Sequence, residues 1–298
     1  MRLGTDASPR KRALFSLAGL SVGDAMGERF FGPPEQTLAS INARQLPESP
    51  WRYTDDTQMA LSIVELLEED GCIEPDRLAF LFAERYEPMR GYGSAAHKLM
   101  RAYALGASWR EMAPTLFGGK GSFGNGAAMR IAPLGGFFAE DTGKLVENAI
   151  LAARVTHTHP EGIAGAVAVA MGAAAAWRQG PGTDPDRFFE TVIEHTPEGM
   201  TERGIRQAAI IPADLPVEDV AATLGSGRNI SAQDTVPFVM WCAAHKLANY
   251  RDALWTTLQG LGDMDTTCAM VGGIVSLACR EIPDDWLTYR EGLPAGFW

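Results

Sequence analysis

Two short acidic stretches at the heads of apolar helices, far apart along the chain, constrain this fold more than any other feature. The first is Tyr53-Thr54-Asp55-Asp56-Thr57-Gln58, followed by Met59, Ala60, Ile63, Val64, Leu66 and Leu67 at helical spacing. The second, roughly 200 residues later, is Gly262-Asp263-Met264-Asp265-Thr266-Thr267, again opening an apolar run. One helix cap needs one carboxylate, and a second anion beside it is repelled. An ordinary cap accounts for one such pair. Two, each joining carboxylates to threonine hydroxyls, point to a shared site in which a hard divalent cation neutralises the acids. A chain that brings them together must fold its two ends onto one another.

The rest of the pattern is helical. A first helix over about 10–26 carries Gly19, Gly23 and Gly27 at every fourth position, a smooth face for close helix contact. Arg10-Lys11-Arg12 before an apolar run imitates a signal peptide, but the run passes into Gly23-Asp24-Ala25-Met26-Gly27-Glu28 without a small-x-small cleavage site, so it reads as a core helix. Residues 1–9 read as a loose tail. Pro33-Pro34 breaks the chain, and 28–53 reads as a long loop of the kind that forms a lid or wall. Helices follow near 57–70 (stopped by Gly71), 75–87, 94–105, 109–116, 126–138, 143–153, 163–178, 185–195, 200–211, 217–224, 235–247, 250–258 and 266–280. No window alternates as a strand does. The expectation is all-α: a single compact multi-helix domain over 1–298.

Composition narrows the function. At 46% hydrophobic residues the chain buries a large core, and a net charge of −11 argues against binding nucleic-acid backbone broadly. Cys72, Cys242, Cys268 and Cys279 form no Cys-x-x-Cys pair and read as reduced, buried thiols of a cytoplasmic protein. No uninterrupted apolar run of about 18 residues is seen, so no membrane span is expected. A chain of this size is compatible with a monomer.

Two further segments carry polar chemistry. Gly118 to Gly126 holds five glycines in nine residues, which cannot be a helix interior. It lacks the Walker pattern, yet its amides could cradle an anion at the start of a helix. Val155-Thr156-His157-Thr158-His159 has histidines two apart, not the four apart that a helical zinc pair uses, so zinc is not favoured.

In order, Gly23-Asp24-Ala25-x-Gly27, Thr54-Asp55-Asp56-Thr57, Gly121-Ser122-Phe123-Gly124-Asn125-Gly126-x-Ala128-Met129-Arg130, Thr156-His157 and Gly262-Asp263-x-Asp265-Thr266-Thr267 resemble the ADP-ribosylglycohydrolase family over residues 12–280. The resemblance implies an all-α fold with a binuclear cleft holding two divalent cations, magnesium or manganese. Thr54, Asp55, Asp56, Asp263, Asp265 and Thr266 would be the ligands, with Asp265 bridging. It implies substrate contacts from Gly121, Ser122, Phe123, Gly124, Asn125 and His157, with Glu28 beside them, and hydrolysis of the bond between ADP-ribose and a modified target. Asp55 or Asp56 would be the base that accepts a water proton. The alternative is a non-catalytic ADP-ribose-binding or structural protein on the same fold. Two positions depart from the family pattern. Met264 stands where many relatives have threonine. Phe31 stands where several carry a flap glutamate, with Glu28 and Glu35 nearby in sequence.

Overall fold

The computed structural model describes residues 1–182 and 184–297. Its helices run α1 (Pro9–Glu28), α2 (Pro34–Asn42), α3 (Asp55–Asp70), α4 (Pro75–Arg85), α5 (Ser94–Ala104) and α6 (Trp109–Gly119). A single 3-10 turn at Asn125–Ala127 precedes α7 (Ala132–Phe137), α8 (Thr142–Arg154), α9 (Pro160–Gln179), α10 (Pro185–His195), α11 (Met200–Ala209) and α12 (Val217–Leu224). The chain ends in α13 (Ala232–His245), α14 (Tyr250–Leu258), α15 (Met264–Cys279) and α16 (Asp284–Tyr289). Among the described residues there is no strand, only isolated bridges between Arg2 and Glu281, Trp51 and Arg290, and Gly124 and Ser231.

The α1–α15 pair is the most extensive helix contact in the molecule, and glycine makes it possible. A Cβ on Gly19, Gly23 or Gly27 would lie 2.5, 2.1 or 2.3 Å from the backbone oxygens of Gly272, Cys268 and Met264. The two backbones therefore touch along two turns, and every residue of α1 from Arg12 to Gly27 is buried. Arg12 is buried with its charge answered: its guanidinium donates to the carbonyls of Gly136 (2.8 Å), Ala7 (3.0 Å) and Phe137 (3.2 Å), closing the carboxyl end of α7. The second hub is α9, which touches α7, α8, α10, α13 and α15. By length and mean hydropathy α9 is apolar enough to cross a membrane, although its uninterrupted apolar run, bounded by Glu161 and Arg178, stays short of the expected span length; 83% of that stretch is buried inside the protein. Its alanines and glycines fit a helix packed on several sides.

Four local expectations are corrected. Residues 28–53 are not one loop: Pro34 occupies the first turn of α2, where a proline ring costs nothing because the N–H it lacks would be unpaired anyway. The helix expected over 126–138 is a 3-10 turn, a bend and the short α7, whose own first turn holds Pro133. The first residues are not loose, since Leu3 N donates to Arg280 O (3.0 Å) and Ile282 N to Met1 O (3.0 Å). Cys72 is exposed and Cys279 only half-buried, whereas Cys242 and Cys268 are buried thiols. The helix α16 was not anticipated. Its Trp286 stacks edge-on against Trp51 (6.1 Å) and Tyr250 (6.1 Å). Just beyond it, Trp51 N donates to Tyr289 O (2.7 Å), and Glu291 Oε1 accepts from Tyr53 N (2.9 Å). The end of the chain thus pins the segment that leads into α3.

Candidate metal and ligand site

The amino ends of α3 and α15 converge against the last turn of α1. Thr54 caps α3, with its hydroxyl accepting from Asp56 N (3.3 Å). Asp55 and Asp56 fill the first turn, and Asp265 and Thr266 fill that of α15. Thr266 Oγ1 is 3.5 Å from Asp56 Oδ2, so the two stretches meet across 210 positions. Carboxylate oxygens of Asp24, Asp56 and Asp265 lie within 4.8 Å of one another.

Asp24 carries no role in the sequence reading, although it stands in one of the quoted motifs. It is wholly buried, and its oxygens take hydrogen bonds from Thr54 N (3.0 Å), Thr54 Oγ1 (2.8 Å), Thr57 N (3.1 Å) and Thr57 Oγ1 (2.5 Å). Its acceptor capacity is spent on fixing the start of α3. Asp56 and Asp265 differ: Asp56 Oδ1 and Asp265 Oδ1 are buried and have no hydrogen-bond partner. Buried carboxylate oxygens left without donors are costly unless a cation takes their place. The three-acid cluster therefore divides into one saturated acid and two whose free oxygens fit a hard ion.

The electrostatics agree. Burial pushes Asp24 up to about 6, with the Thr57 and Thr54 hydrogen bonds pulling the other way. Burial, then the charge of Asp24, pushes Asp55 up to about 8, while Arg130 pulls it back. Asp56 is raised well above the carboxylate range by burial and by Asp24 and Asp265, and Asp265 likewise by burial, Asp263 and Asp24. Without a cation, burial and the neighbouring acids thus disfavour the charged forms of these groups, and a bound divalent ion would favour them.

The remaining sequence candidates lie around this centre. Asn125 donates from its amide to Asp263 Oδ2 (2.8 Å) and Thr235 Oγ1 (3.2 Å), so it ties the glycine-rich segment to the head of α15. Gly121 has φ +74°, and a Cβ there would lie 2.2 Å from Thr158 Oγ1. Ser122 is buried and accepts from Gly124 N (3.2 Å), whereas Phe123 is partly exposed, edge-on to His159 (5.4 Å). His157 is half-buried, with Nε2 beside Gly124 and Gly126. Burial and Arg130 push it down to about 3, so it is neutral at pH 7. Glu28 ends α1 on the exposed side. Partial desolvation raises its pKa, Arg29 opposes this, and Asp263 adds to it. Glu35 lies in the first turn of α2. Phe31 is half-exposed and lines a cavity of about 210 Å³ with Arg228, Gly262 and Met264, so the departure from the family pattern sits at the rim of the acidic centre.

Arg130 and Thr156 also went without a role in the sequence reading. A cation inside an apolar run was the available signal. Arg130 is buried, stacks over Phe82 (4.5 Å) and donates to Thr156 Oγ1 (2.8 Å).

The family profile described as ADP-ribosylglycohydrolase matches residues 5–295. The chain is 28% identical to the ADP-ribosylhydrolase ARH3 of Bos taurus, over 93% of this chain and 87% of that one. It is 26% identical to the ARH3 of Homo sapiens, over 93% and 88%. A solved structure titled as an ADP-ribosylglycohydrolase-related protein complex shares the fold, with a TM-score of 0.62, 24% identity and coverage of 95% of this chain and 93% of that one.

Proposed function

Because the chain belongs to the ADP-ribosylglycohydrolase family, we propose that it is a metal-dependent hydrolase that cleaves the glycosidic bond joining ADP-ribose to a modified target. The observation that carries the reading is the pair of buried, unpartnered oxygens, Asp56 Oδ1 and Asp265 Oδ1, at the meeting of two helix heads. Thr54, Asp55, Asp56, Asp263, Asp265 and Thr266 would hold two divalent cations, magnesium or manganese, as oxygen ligands. When bound, the cations would offset the clustered negative charge and acidify a water.

The chain's own groups account for the rest. Asp24 holds Thr54 and Thr57, and so fixes where Asp55 and Asp56 point. Asn125 fixes Asp263 in the same way. Asp55 or Asp56 accepts the proton of the attacking water as the ribose carbon gains positive charge. Gly121 N and Gly124 N are already engaged, by Leu116 O and Ser122 Oγ, so the other backbone amides of the segment and the neutral His157 offer donors to diphosphate and ribose oxygens.

The test is incubation with arginine-linked, serine-linked and nucleic-acid-linked ADP-ribose in magnesium, manganese or EDTA. Metal-dependent release of free ADP-ribose from at least one linkage is expected. Binding of ADP-ribose without release from any linkage would favour a non-catalytic role, which Phe31 at the rim supports. Release of inorganic phosphate instead would contradict cleavage of the glycosidic bond.

A further inference from the structure

We propose that Thr156, held by Arg130, is a positioning residue that locks His157 in the tautomer bearing its proton on Nε2, so that the imidazole faces the glycine-rich segment only as a hydrogen-bond donor.

The donors and acceptors leave one self-consistent arrangement. Arg130 Nη2 lies 2.8 Å from Thr156 Oγ1, and a guanidinium can only donate. Thr156 Oγ1 therefore accepts from Arg130 and keeps one proton to give. Thr156 is buried, and beyond Arg130 its hydroxyl contacts His157 Nδ1 at 2.7 Å. If Nδ1 carried the proton, the hydroxyl would accept twice and its own proton would lie buried without an acceptor. If Thr156 donates to Nδ1, every group is satisfied and the imidazole proton must sit on Nε2. Arg130 is itself fixed, since Nη2 also donates to Ala152 O (3.1 Å) and the guanidinium lies over Phe82. The chain of fixed groups thus starts in the core and ends at Nε2.

Nε2 faces the segment where a ligand would lie. A Cβ on Gly124 or Gly126 would stand 3.3 Å from it, and among the described residues no hydrogen bond to Nε2 is found. A donor in that place selects an acceptor oxygen, such as a phosphate oxygen or a sugar hydroxyl, and is closed to a cation. The proposal rests on the ADP-ribose reading only for the identity of that acceptor. The tautomer itself does not depend on it.

The experiment separates the two. Nitrogen-15 NMR of the full chain labelled at histidine, with His157→Gln to assign the signal, reads which ring nitrogen of His157 is protonated at pH 7. A protonated Nε2 and a bare Nδ1 are expected in the wild type, and a mixture of tautomers in Thr156→Val. Thr156→Ser, which keeps the hydroxyl, should restore the wild-type pattern. ADP-ribose binding should weaken about three- to tenfold in Thr156→Val, as for one misdirected hydrogen bond, and recover in Thr156→Ser. A protonated Nδ1 in the wild type overturns the proposal, as does a Thr156→Val protein that keeps both the pattern and the affinity. Should Thr156→Val not fold, the wild-type and Thr156→Ser spectra alone decide. A wild type with the expected pattern and no affinity for ADP-ribose would count against the function proposed above while leaving the tautomer established.

Discussion

Replacing Gly27 by alanine tests the link between helix packing and the site. The new Cβ would meet Met264 O at 2.3 Å and Asp265 Cα at 2.7 Å, both backbone atoms that no rotamer change can move. To reach 3.0 Å, α1 and α15 must part by about 0.7 Å at that level, which forfeits roughly a quarter to a half of the dispersion energy of the contacts beside it. Overpacking of this kind costs about 3 kcal/mol, and alanine's better helix propensity returns about 1, leaving a loss of about 2 kcal/mol. Gly19→Ala is the control. Its Cβ would lie 2.5 Å from Gly272 O and 2.6 Å from Ser276 Cβ, so its stability loss should be similar. It lies about 12 Å farther along α1, however, away from Asp265. Urea unfolding should show comparable losses for both variants. Metal-dependent release of ADP-ribose should fall about 10- to 100-fold in Gly27→Ala alone, because only there is a ligand-bearing backbone displaced. Equal activity in the two folded variants would refute the argument, and so would unchanged stability in both.

Asp24→Asn should cost about 2–4 kcal/mol, since its amide group sets a donor against the N–H and O–H groups of Thr54 and Thr57. Magnesium's effect on the urea midpoint should shrink with it, and a variant that responds to magnesium like the wild type would contradict the positioning role. Asp56→Asn should do the reverse in EDTA and stabilise the metal-free protein, because it removes an acid whose charged form is penalised first by burial and then by the acids around it. It should also lose at least about 100-fold in turnover, and full turnover with magnesium bound would exclude Asp56 as the base. In EDTA, stability should fall as pH rises. Asp24, at about 6, and Asp55, at about 8, keep protons in the folded protein that the unfolded chain has already released above about pH 4. This contribution is whole below pH 4 and lost through pH 8, and magnesium should flatten the slope. Calorimetry showing stability in EDTA rising across that window would contradict the assignment.

The parts of the fold that were legible in the sequence are those where one local rule decides. Gly19, Gly23 and Gly27 announced a face for close approach, and backbone contact with α15 is what they make. Gly71, read as the stop of the helix, does end α3, at φ +69°, and the bounds of α12 and α14 agree with periodicity alone. The misread stretches are those where one residue type serves opposite ends of a helix. Proline was taken as a breaker at Pro34, yet the same ring geometry starts α2. The pairing of residues 1–3 with 280–282 has no local signature, because it depends on two chain ends meeting.

The site divides along the same line. That Asp56 and Asp265 converge could be inferred because each opens an apolar helix with more negative charge than a cap needs. That Asp24 is saturated could not, because its donors lie 30 and 33 residues away and look like ordinary capping threonines. This division of labour is what makes the cluster workable. An acid supplied with strong donors is held rigid and can orient its neighbours, whereas an acid deprived of them keeps its affinity for a cation. Had all three carboxylates been equally satisfied, the cluster would hold a loop and nothing more. Had all three been equally bare, burial and mutual repulsion would open the metal-free protein. With Asp24 anchored on α1 and one oxygen each of Asp56 and Asp265 left bare on α3 and α15, the close α1–α15 packing becomes the frame that sets the distance between those two oxygens.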